Sequence, residues 1–173
     1  MDHYMSVELR EKAVRIKLLL TDIDGVWTDT GVYYSERGEE MKRFSLRDGM
    51  GVQRLRELAS IETGIVTGEN SGAVIKRAEK LGIVETHLQV QNKAATISTI
   101  MKRRGLTPEE VAFIGDDTND IGAMQSVGLC ACPADAVPEV LQIAHFVSTK
   151  RGGFGAFRDF AEMIISHING EVQ

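Results

Sequence analysis

Residues 16–25 read IKLLLTDIDG, a short apolar run that stops abruptly at two acidic residues. A run that is apolar on both faces is typical of a strand buried inside a parallel sheet. In the extended end of such a strand, residues two apart point the same way, so Asp22 and Asp24 are expected to face one crevice. Two carboxylates held close together repel each other and need a cation or a shared proton. The stretch therefore predicts the first strand and also the place where chemistry occurs.

Strand-like and helix-like patterns alternate along the rest of the chain. The other short apolar runs lie at residues 61–67, 84–88, 111–115, 129–132 and 146–147. Apolar residues at helical spacing lie between them, at residues 49–59, 71–81, 94–104 and 154–168. This alternation predicts an α/β fold with a doubly wound parallel sheet. Ligands of such sheets bind beyond the carboxyl ends of the strands, which is where the acidic residues fall.

One segment departs from the alternation. Residues 31–45 read as a strand, a polar turn at 35–38 and a second strand, which predicts a β-hairpin flap inserted directly after the first strand. The sequence contains no internal repeat and no stretch large enough for an independent lid. We therefore expect residues 1–173 to form a single domain with an inserted hairpin and no separate cap domain.

The composition is that of a globular protein with an acidic balance. Lys and Arg total 20 and Asp and Glu total 25, so the formal net charge is −5. This balance argues against nucleic acid as a partner and leaves room for a small anionic substrate in a local positive pocket. No segment approaches the ~20 apolar residues of a membrane span, and the beginning of the chain lacks a signal-peptide pattern. We therefore expect a cytoplasmic protein without a membrane partner.

The two cysteines, Cys130 and Cys132, lie in the apolar run at 129–132. They are too close for an ordinary disulfide within one strand, and they do not make a complete zinc set. The pattern favours small buried residues of a strand.

A second acidic group follows the run at 111–115. Asp116, Asp117 and Asp120 are expected at the same sheet edge as Asp22 and Asp24. Clustered Asp oxygens with room for water suit Mg²⁺, which usually also meets phosphate in its sites. Either acidic motif alone is common in structural turns. Both motifs at strand ends of one predicted sheet favour a metal site.

Two further segments of the sequence are compatible with phosphate binding. Thr67 and Gly68 end the second strand just before a helix, where a hydroxyl and free backbone N–H groups can hold phosphate oxygens. Lys93 opens the next helix and can neutralise both a nucleophile and a phosphate. Taken singly, the first piece also fits a helix cap and the second a surface lysine.

These pieces, in this order, resemble the four motifs of the haloacid dehalogenase (HAD) superfamily of phosphotransferases. The matching residues are Asp22-Ile23-Asp24-Gly25, Thr67, Lys93 and Gly115-Asp116-Asp117-Thr118-Asn119-Asp120. The hairpin and the segments 44–49, 133–136 and 152–155 are further similar to the capless branch typified by 3-deoxy-D-manno-octulosonate 8-phosphate (KDO 8-phosphate) phosphatases. The resemblance covers nearly the whole chain and implies a HAD-like Rossmannoid fold with Mg²⁺-dependent phosphatase activity.

The resemblance also implies a role for each residue. Asp22 would attack phosphorus to form an aspartyl-phosphate, and Asp24 would act as general acid and then as general base. The side chains of Asp22 and Asp116 and the backbone carbonyl of Asp24 would hold Mg²⁺. The supporting residues would be Asp117 and Asp120 for orienting ligands, and Thr67, Gly68 and Lys93 for binding the phosphoryl oxygens. Capless members commonly form homotetramers in which the hairpin helps close a neighbouring site, and the resemblance implies the same assembly for residues 31–45. The alternative is a hairpin folded onto its own domain.

The residues that would choose the sugar divide between two classes of substrate. Arg47 and Asp48 are similar to the enzymes that act on the eight-carbon KDO 8-phosphate. Glu69, together with Arg77 and Lys80 on the following helix, is more similar to the branch that acts on nine-carbon acids, 2-keto-3-deoxy-nononate 9-phosphate or N-acylneuraminate 9-phosphate. Both substrates are small anionic sugar phosphates, so the reaction class does not depend on the choice.

Three other functions compete with the phosphatase. A phosphomutase would need a cap to exclude water, for which this chain has no room. A non-catalytic assembly module of sialic acid activation would not need the intact set of Asp22, Asp24, Thr67, Lys93 and Asp116. A receiver domain is disfavoured by an acid two residues after the nucleophile and by the late position of residues 115–117.

Overall fold

The computed structural model describes residues 2–170, with side chains from residue 7 onward. Its main sheet has six strands, β1 (Leu18–Thr21), β4 (Glu62–Val66), β5 (Glu85–His87), β6 (Val111–Ile114), β7 (Leu129–Cys132) and β8 (Phe146–Val147). The strand order is β5-β4-β1-β6-β7-β8, and every neighbouring pair is parallel. The predicted doubly wound parallel sheet is therefore confirmed, with β1 near its centre.

Seven helices flank this sheet in the described chain. They are α1 (Asp2–Ala13), α2 (Leu46–Ala59), α3 (Gly72–Leu81), α4 (Lys93–Arg104), α5 (Ile121–Gln125), α6 (Pro138–Leu141) and α7 (Ala156–Asn169). Strand side chains alternate between the two faces. Leu19 packs in one core with residues of α2, α3 and α7, whereas Leu18 and Leu20 pack in a second core with residues of α4, α5 and α6. The sheet thus lies between two helical layers.

The predicted hairpin is formed by β2 (Val32–Ser35) and β3 (Gly38–Lys42), which pair antiparallel as a separate two-stranded sheet. It projects from the loop after β1, and three of its large side chains, Tyr33, Tyr34 and Met41, are exposed. Within residues 2–170, nothing larger than this hairpin stands outside the sheet and its helices. The prediction of a capless fold is confirmed.

Cys130 and Cys132 lie buried in β7 as free thiols, as their apolar setting predicts. The helix α1 was not predicted, because its sequence shows little separation of apolar and polar faces. The helices α5 and α6 are too short to give a periodic pattern. None of the helices in residues 2–170 combines the length and apolar character that a membrane span requires.

Candidate active site

The parallel register of the three central strands brings their carboxyl ends together. Thr21, the last residue of β1, is level with Ile65 of β4 and with Ile114 of β6. The backbone N–H of Asp22 continues this ladder and donates to the carbonyl of Ile114 at 3.0 Å. Beyond these ends lies a cleft of about 270 Å³, lined by Asp22, Asp24, Thr30, Thr67, Gly68, Glu69, Asp116, Asp117, Thr118 and Asn119.

A larger cavity, of about 600 Å³, lies elsewhere on the molecule. Its lining comes from α1, from the loop before β7 and from the segment around His145. The acids and the threonine that follow the central strands do not line it. The chemistry of the strand ends therefore decides in favour of the smaller cleft, because cavity size alone identifies no reaction.

Lys93 links two of the acids at the floor of the cleft. Its side chain is 2% exposed, and its Nζ lies 2.6 Å from Oδ1 of Asp120 and 3.0 Å from Oδ1 of Asp22. The contact with Asp120 is a hydrogen bond, whereas the contact with Asp22 is an ion pair outside hydrogen-bond geometry. The predicted pairing of Lys93 with the nucleophile candidate is thus present in the folded chain.

Asp120 braces the loop after β6. Its Oδ2 accepts hydrogen bonds from the backbone N–H groups of Asp116, at 3.0 Å, and Asp117, at 3.4 Å. Gly115 allows this close approach, since a Cβ there would lie 2.5 Å from Cγ of Asp120. Both oxygens of Asp120 are therefore engaged by protein groups, which agrees with the supporting role that the family resemblance implies.

The cluster of carboxylates at the floor of the cleft fits a divalent cation. Oxygens of Asp22, Asp116 and Asp120 lie within 4.8 Å of one another. Oδ1 of Asp22 and Oδ1 of Asp116 are buried without a hydrogen-bond partner in the part of the chain whose side chains are described. Buried carboxylate oxygens without a hydrogen bond are costly, and hard oxygen ligands of this kind are those that Mg²⁺ prefers. The donor set therefore suits such an ion.

The pKa shifts of the buried acids also favour a bound cation. Burial, together with the negative charge of Asp120, raises the pKa of Asp22 to about 7, although Lys93 opposes the shift. Burial and the neighbouring Asp22, Asp120 and Asp117 raise the pKa of Asp116 to about 8. The pKa of Lys93 is raised as well, because its attraction to Asp22 and Asp120 outweighs the effect of burial. A bound cation would stabilise both carboxylates in their ionised form.

Asp24 is held differently from Asp22. The Nζ of Lys42 lies 2.6 Å from both of its carboxylate oxygens, and Thr28 Oγ1 donates to Oδ1 at 3.4 Å. Lys42 is the last residue of β3, so the hairpin reaches the site of its own chain. Sequence reasoning missed this residue, because a lysine in a polar hairpin looks like any surface lysine.

Thr67 and Gly68 occupy the place predicted for phosphate binding. The backbone of the buried Thr67 is fixed by two hydrogen bonds, from its own N–H to the carbonyl of His87 and from the N–H of Val90 to its carbonyl, each 3.0 Å long. Gly68 follows at the mouth of the cleft and is exposed. Both residues face the same space as Asp22.

Of the five residues predicted to choose the substrate, only Glu69 lines the cleft. Asp48 is fully buried, and its carboxylate accepts hydrogen bonds from the backbone N–H groups of Gly155 and Arg158 at the beginning of α7. Arg77 donates from Nη2 to the carbonyl of Ser45 at 2.9 Å, so it braces the beginning of α2. Arg47 and Lys80 are exposed outside the cleft. Their part in substrate choice stays a prediction.

Comparison with known proteins places this site in a family context. A family model described as haloacid dehalogenase-like hydrolase matches residues 76–153. The curated 3-deoxy-D-manno-octulosonate 8-phosphate phosphatase of Salmonella typhi is 37% identical over 161 residues, which is 93% of this chain and 85% of that protein. The protein of the same name from Yersinia pestis is 37% identical over 155 residues, or 90% of this chain and 82% of that protein.

Solved structures give the same result. The phosphatase of this name from Moraxella catarrhalis, in complex with a magnesium ion, a phosphate ion and a KDO molecule, superposes with a TM-score of 0.90 at 32% identity and covers 94% of this chain and 93% of its own. The cobalt-bound phosphatase from Haemophilus influenzae gives a TM-score of 0.88 at 35% identity, covering 91% and 92%. The likeness therefore extends over fold and sequence together.

Proposed function

The chain belongs to the haloacid dehalogenase-like hydrolase family, as a phosphatase of the capless branch, and we propose that it releases the terminal phosphate of KDO 8-phosphate with the help of Mg²⁺. One observation carries the proposal: Asp22, paired with Lys93, shares a cleft at the strand ends with Asp24, Thr67 and Asp116. A nucleophile, an acid–base group, a phosphate-binding hydroxyl and a cation site meet there.

The first step is attack of an Asp22 carboxylate oxygen on phosphorus. As the new oxygen–phosphorus bond forms, the bond from phosphorus to the sugar oxygen breaks, and Asp24 donates a proton to that oxygen. The products are the free sugar acid and an aspartyl-phosphate. The position of Asp24, two residues beyond Asp22 and at the same cleft, suits this transfer.

The second step returns the enzyme to its starting state. Asp24 takes a proton from a water molecule as the water oxygen attacks phosphorus, and the bond from phosphorus to Asp22 breaks. Inorganic phosphate leaves, Asp22 is a carboxylate again, and Asp24 carries the proton that the next turnover needs.

Negative charge spreads over the phosphoryl oxygens in both steps. Lys93 is fixed by Asp22 and Asp120, so its ammonium meets this charge without reorganisation. The Thr67 hydroxyl and nearby backbone N–H groups bind the same oxygens. Mg²⁺ bound by the side chains of Asp22 and Asp116 and by the carbonyl of Asp24 supplies charge neutralisation when present. Asp117 and Asp120 support these ligands.

The eight-carbon substrate is favoured by the relatives, which are named KDO 8-phosphate phosphatases, and by the KDO molecule in the Moraxella structure. A specific observation favours a nine-carbon sugar phosphate as the second candidate: the carboxylate residue Glu69 lines the cleft. The intact site disfavours a non-catalytic assembly module.

We further propose that the enzyme works as a homotetramer assembled through the hairpin. Tyr33 is 61% exposed, Tyr34 70% and Met41 59%, all on the same two-stranded segment. Large apolar side chains concentrated on a projecting element are typical of an interface. Equilibrium sedimentation of the wild type and of Tyr34→Ser tests this, and a monomeric wild type would contradict it.

The function itself is tested by phosphate release in the presence of Mg²⁺. KDO 8-phosphate and 2-keto-3-deoxy-nononate 9-phosphate are compared, with EDTA and Asp22→Asn as controls. We expect release from the eight-carbon acid that both controls abolish. Preference for the nine-carbon acid would make Glu69 a specificity residue, and release from neither would contradict the phosphatase assignment.

A further inference from the structure

Two polar side chains of β3 in the hairpin contact the loops that border the cleft. The side chain of Lys42 is 1% exposed, and its Nζ lies 2.6 Å from Oδ1 and from Oδ2 of Asp24. Glu39 lies 3.7 Å from the same ammonium and accepts a hydrogen bond from the hydroxyl of Ser71. The hairpin is therefore attached to the site of its own chain by a buried lysine rather than by exposed contacts.

These contacts form one polar chain across the cleft. Asp24 belongs to the loop after β1, and Ser71 is the residue that precedes α3 in the loop after β4. Lys42 and Glu39 connect the two loops through a single strand of the hairpin. Two loops that border the cleft are thus linked by residues that sequence patterns do not distinguish from surface charges.

We propose that Lys42 is a positioning residue for Asp24, an inference that rests on the acid–base role given to Asp24 in the proposed function. Lys42 keeps Asp24 in the orientation from which its carboxylate takes a proton from the attacking water and, once protonated on one oxygen, hands that proton to the leaving sugar oxygen. Glu39 in turn fixes Lys42 and ties this arrangement to the Thr67 loop through Ser71.

The geometry explains why Lys42 is the residue that orients the Asp24 carboxylate. An ammonium equidistant from both oxygens restrains the rotation of the carboxylate about its last bond, which a contact to one oxygen does not. The other side-chain contact to Asp24, from Thr28, is long at 3.4 Å. A lysine buried to this degree is also costly unless it is paired, so the ammonium itself remains in place.

The same hairpin provides a matched control. Arg37 forms an exposed ion pair with Glu40, with Nε 3.0 Å from Oε1, and does not reach the cleft. Arg37→Met removes an ion pair from the hairpin just as Lys42→Met does. The two variants differ in whether the lost cation contacts Asp24.

The test compares a substrate whose leaving group needs a proton with one whose leaving group does not. The sugar released from KDO 8-phosphate is a poor leaving group as an alkoxide and depends on protonation by the general acid, whereas p-nitrophenyl phosphate releases a stable phenolate without it. For Lys42→Met we expect kcat/KM to fall about 10²-fold with KDO 8-phosphate, within the range that general acid catalysis contributes, and by no more than about threefold with p-nitrophenyl phosphate. Lys42→Arg recovers part of the loss, and Arg37→Met changes neither substrate.

Two outcomes would overturn the proposal: equal losses on both substrates, which indicate a structural role, or no loss on either. Far-ultraviolet circular dichroism checks that the variants fold. If Lys42→Met does not fold, Lys42→Arg decides, because a selective loss with KDO 8-phosphate supports the role and an equal loss refutes it. A wild type that cleaves p-nitrophenyl phosphate but not KDO 8-phosphate contradicts only the proposed substrate, and the comparison is then made with the nine-carbon sugar phosphate.

Discussion

A Cβ atom at position 25 would lie 1.8 Å from Oδ2 of Asp116, so the Asp116 carboxylate occupies the space that a side chain at position 25 would need. Gly25 also has a φ of +85°, which disfavours any side chain. The glycine at the end of the first acidic motif is thus required by the acid of the last one. Gly25 and Asp116, which are 91 residues apart in sequence, thus bring two loops together.

Gly25→Ala is expected to displace the Asp116 carboxylate. We predict at least a ~10-fold weaker Mg²⁺ affinity, in the range observed when the support of a metal ligand is lost, and a parallel fall in phosphate release. Magnesium titration of activity measures the first and turnover at saturating Mg²⁺ the second. Gly38→Ala is the matched control, because Gly38 has a φ of +105° but no atom within 4 Å of its Cβ position. Equal effects of the two substitutions would mean that backbone strain, not Asp116, is responsible.

The metal-free protein should lose stability as the pH rises. Asp116 has an ordinary pKa of 3.8 and a folded pKa of about 8, so between these values the folded chain binds more protons than the unfolded chain. Unfolding then releases protons, and the free energy of unfolding falls until the pH passes the folded pKa. Urea titrations in EDTA at a series of pH values measure this slope.

Asp116→Asn should remove much of that pH dependence. At pH 8 in EDTA we expect the variant to be more stable than the wild type by about 2 kcal/mol, a figure reduced for the partial exposure of the carboxylate. Glu69→Gln, which alters an exposed carboxylate of the same cleft, should have no such effect. A wild type whose stability is flat between pH 4 and pH 8 would contradict the argument.

Asp24→Asn should separate the two chemical steps. The amide neither gives nor takes the proton, so we expect turnover of KDO 8-phosphate to fall by about 10²–10⁴-fold while the fold is retained. With p-nitrophenyl phosphate the first step survives, and phosphate should accumulate on Asp22. Acid quench followed by mass spectrometry detects the phosphorylated chain. Normal turnover in this variant would remove Asp24 from the mechanism.

Substitution of Asp48 distinguishes a structural role of this residue from a role in substrate choice. Because its carboxylate accepts two backbone hydrogen bonds at the beginning of α7, Asp48→Asn should lower the free energy of unfolding by about 1–3 kcal/mol. Glu57→Gln, an exposed change on the same helix α2, serves as the control. The ratio of activities on the eight-carbon and nine-carbon acids should stay unchanged. A shift in that ratio would instead support a part of Asp48 in substrate choice.

The central part of this structure follows from local patterns. Apolar runs that end in acids placed Asp22 and Asp116 at one edge, because parallel strands all finish on the same side of a sheet. Lys93 was found only as a member of that set. The hairpin was predicted from its turn, yet the inward direction of Lys42 was not, since it depends on how the hairpin packs against a loop 18 residues away.

The contacts of the proposed specificity residues were not predictable from the sequence. Arg77 and Lys80 share a helix face in sequence, but Arg77 is drawn to a backbone carbonyl of Ser45 and to the ring of Phe44. Burial of a long charged side chain against a loop is a property of tertiary packing and leaves no periodic signature. Similarly, α1 lacks the apolar stripe from which amphipathic helices are recognised.

Because both thiols of β7 are buried, the rate at which they are alkylated measures how often the fold opens. Cys130 is 2% exposed and Cys132 is fully buried, and burial raises the pKa of both, so alkylating reagents reach them only when the sheet opens. The labelling rate in native buffer therefore reports the population of open molecules. Since β7 adjoins β6, the strand that precedes the Asp116 loop, cation binding at the cleft should slow the labelling by mass action. Occupancy of the site becomes measurable without any substrate.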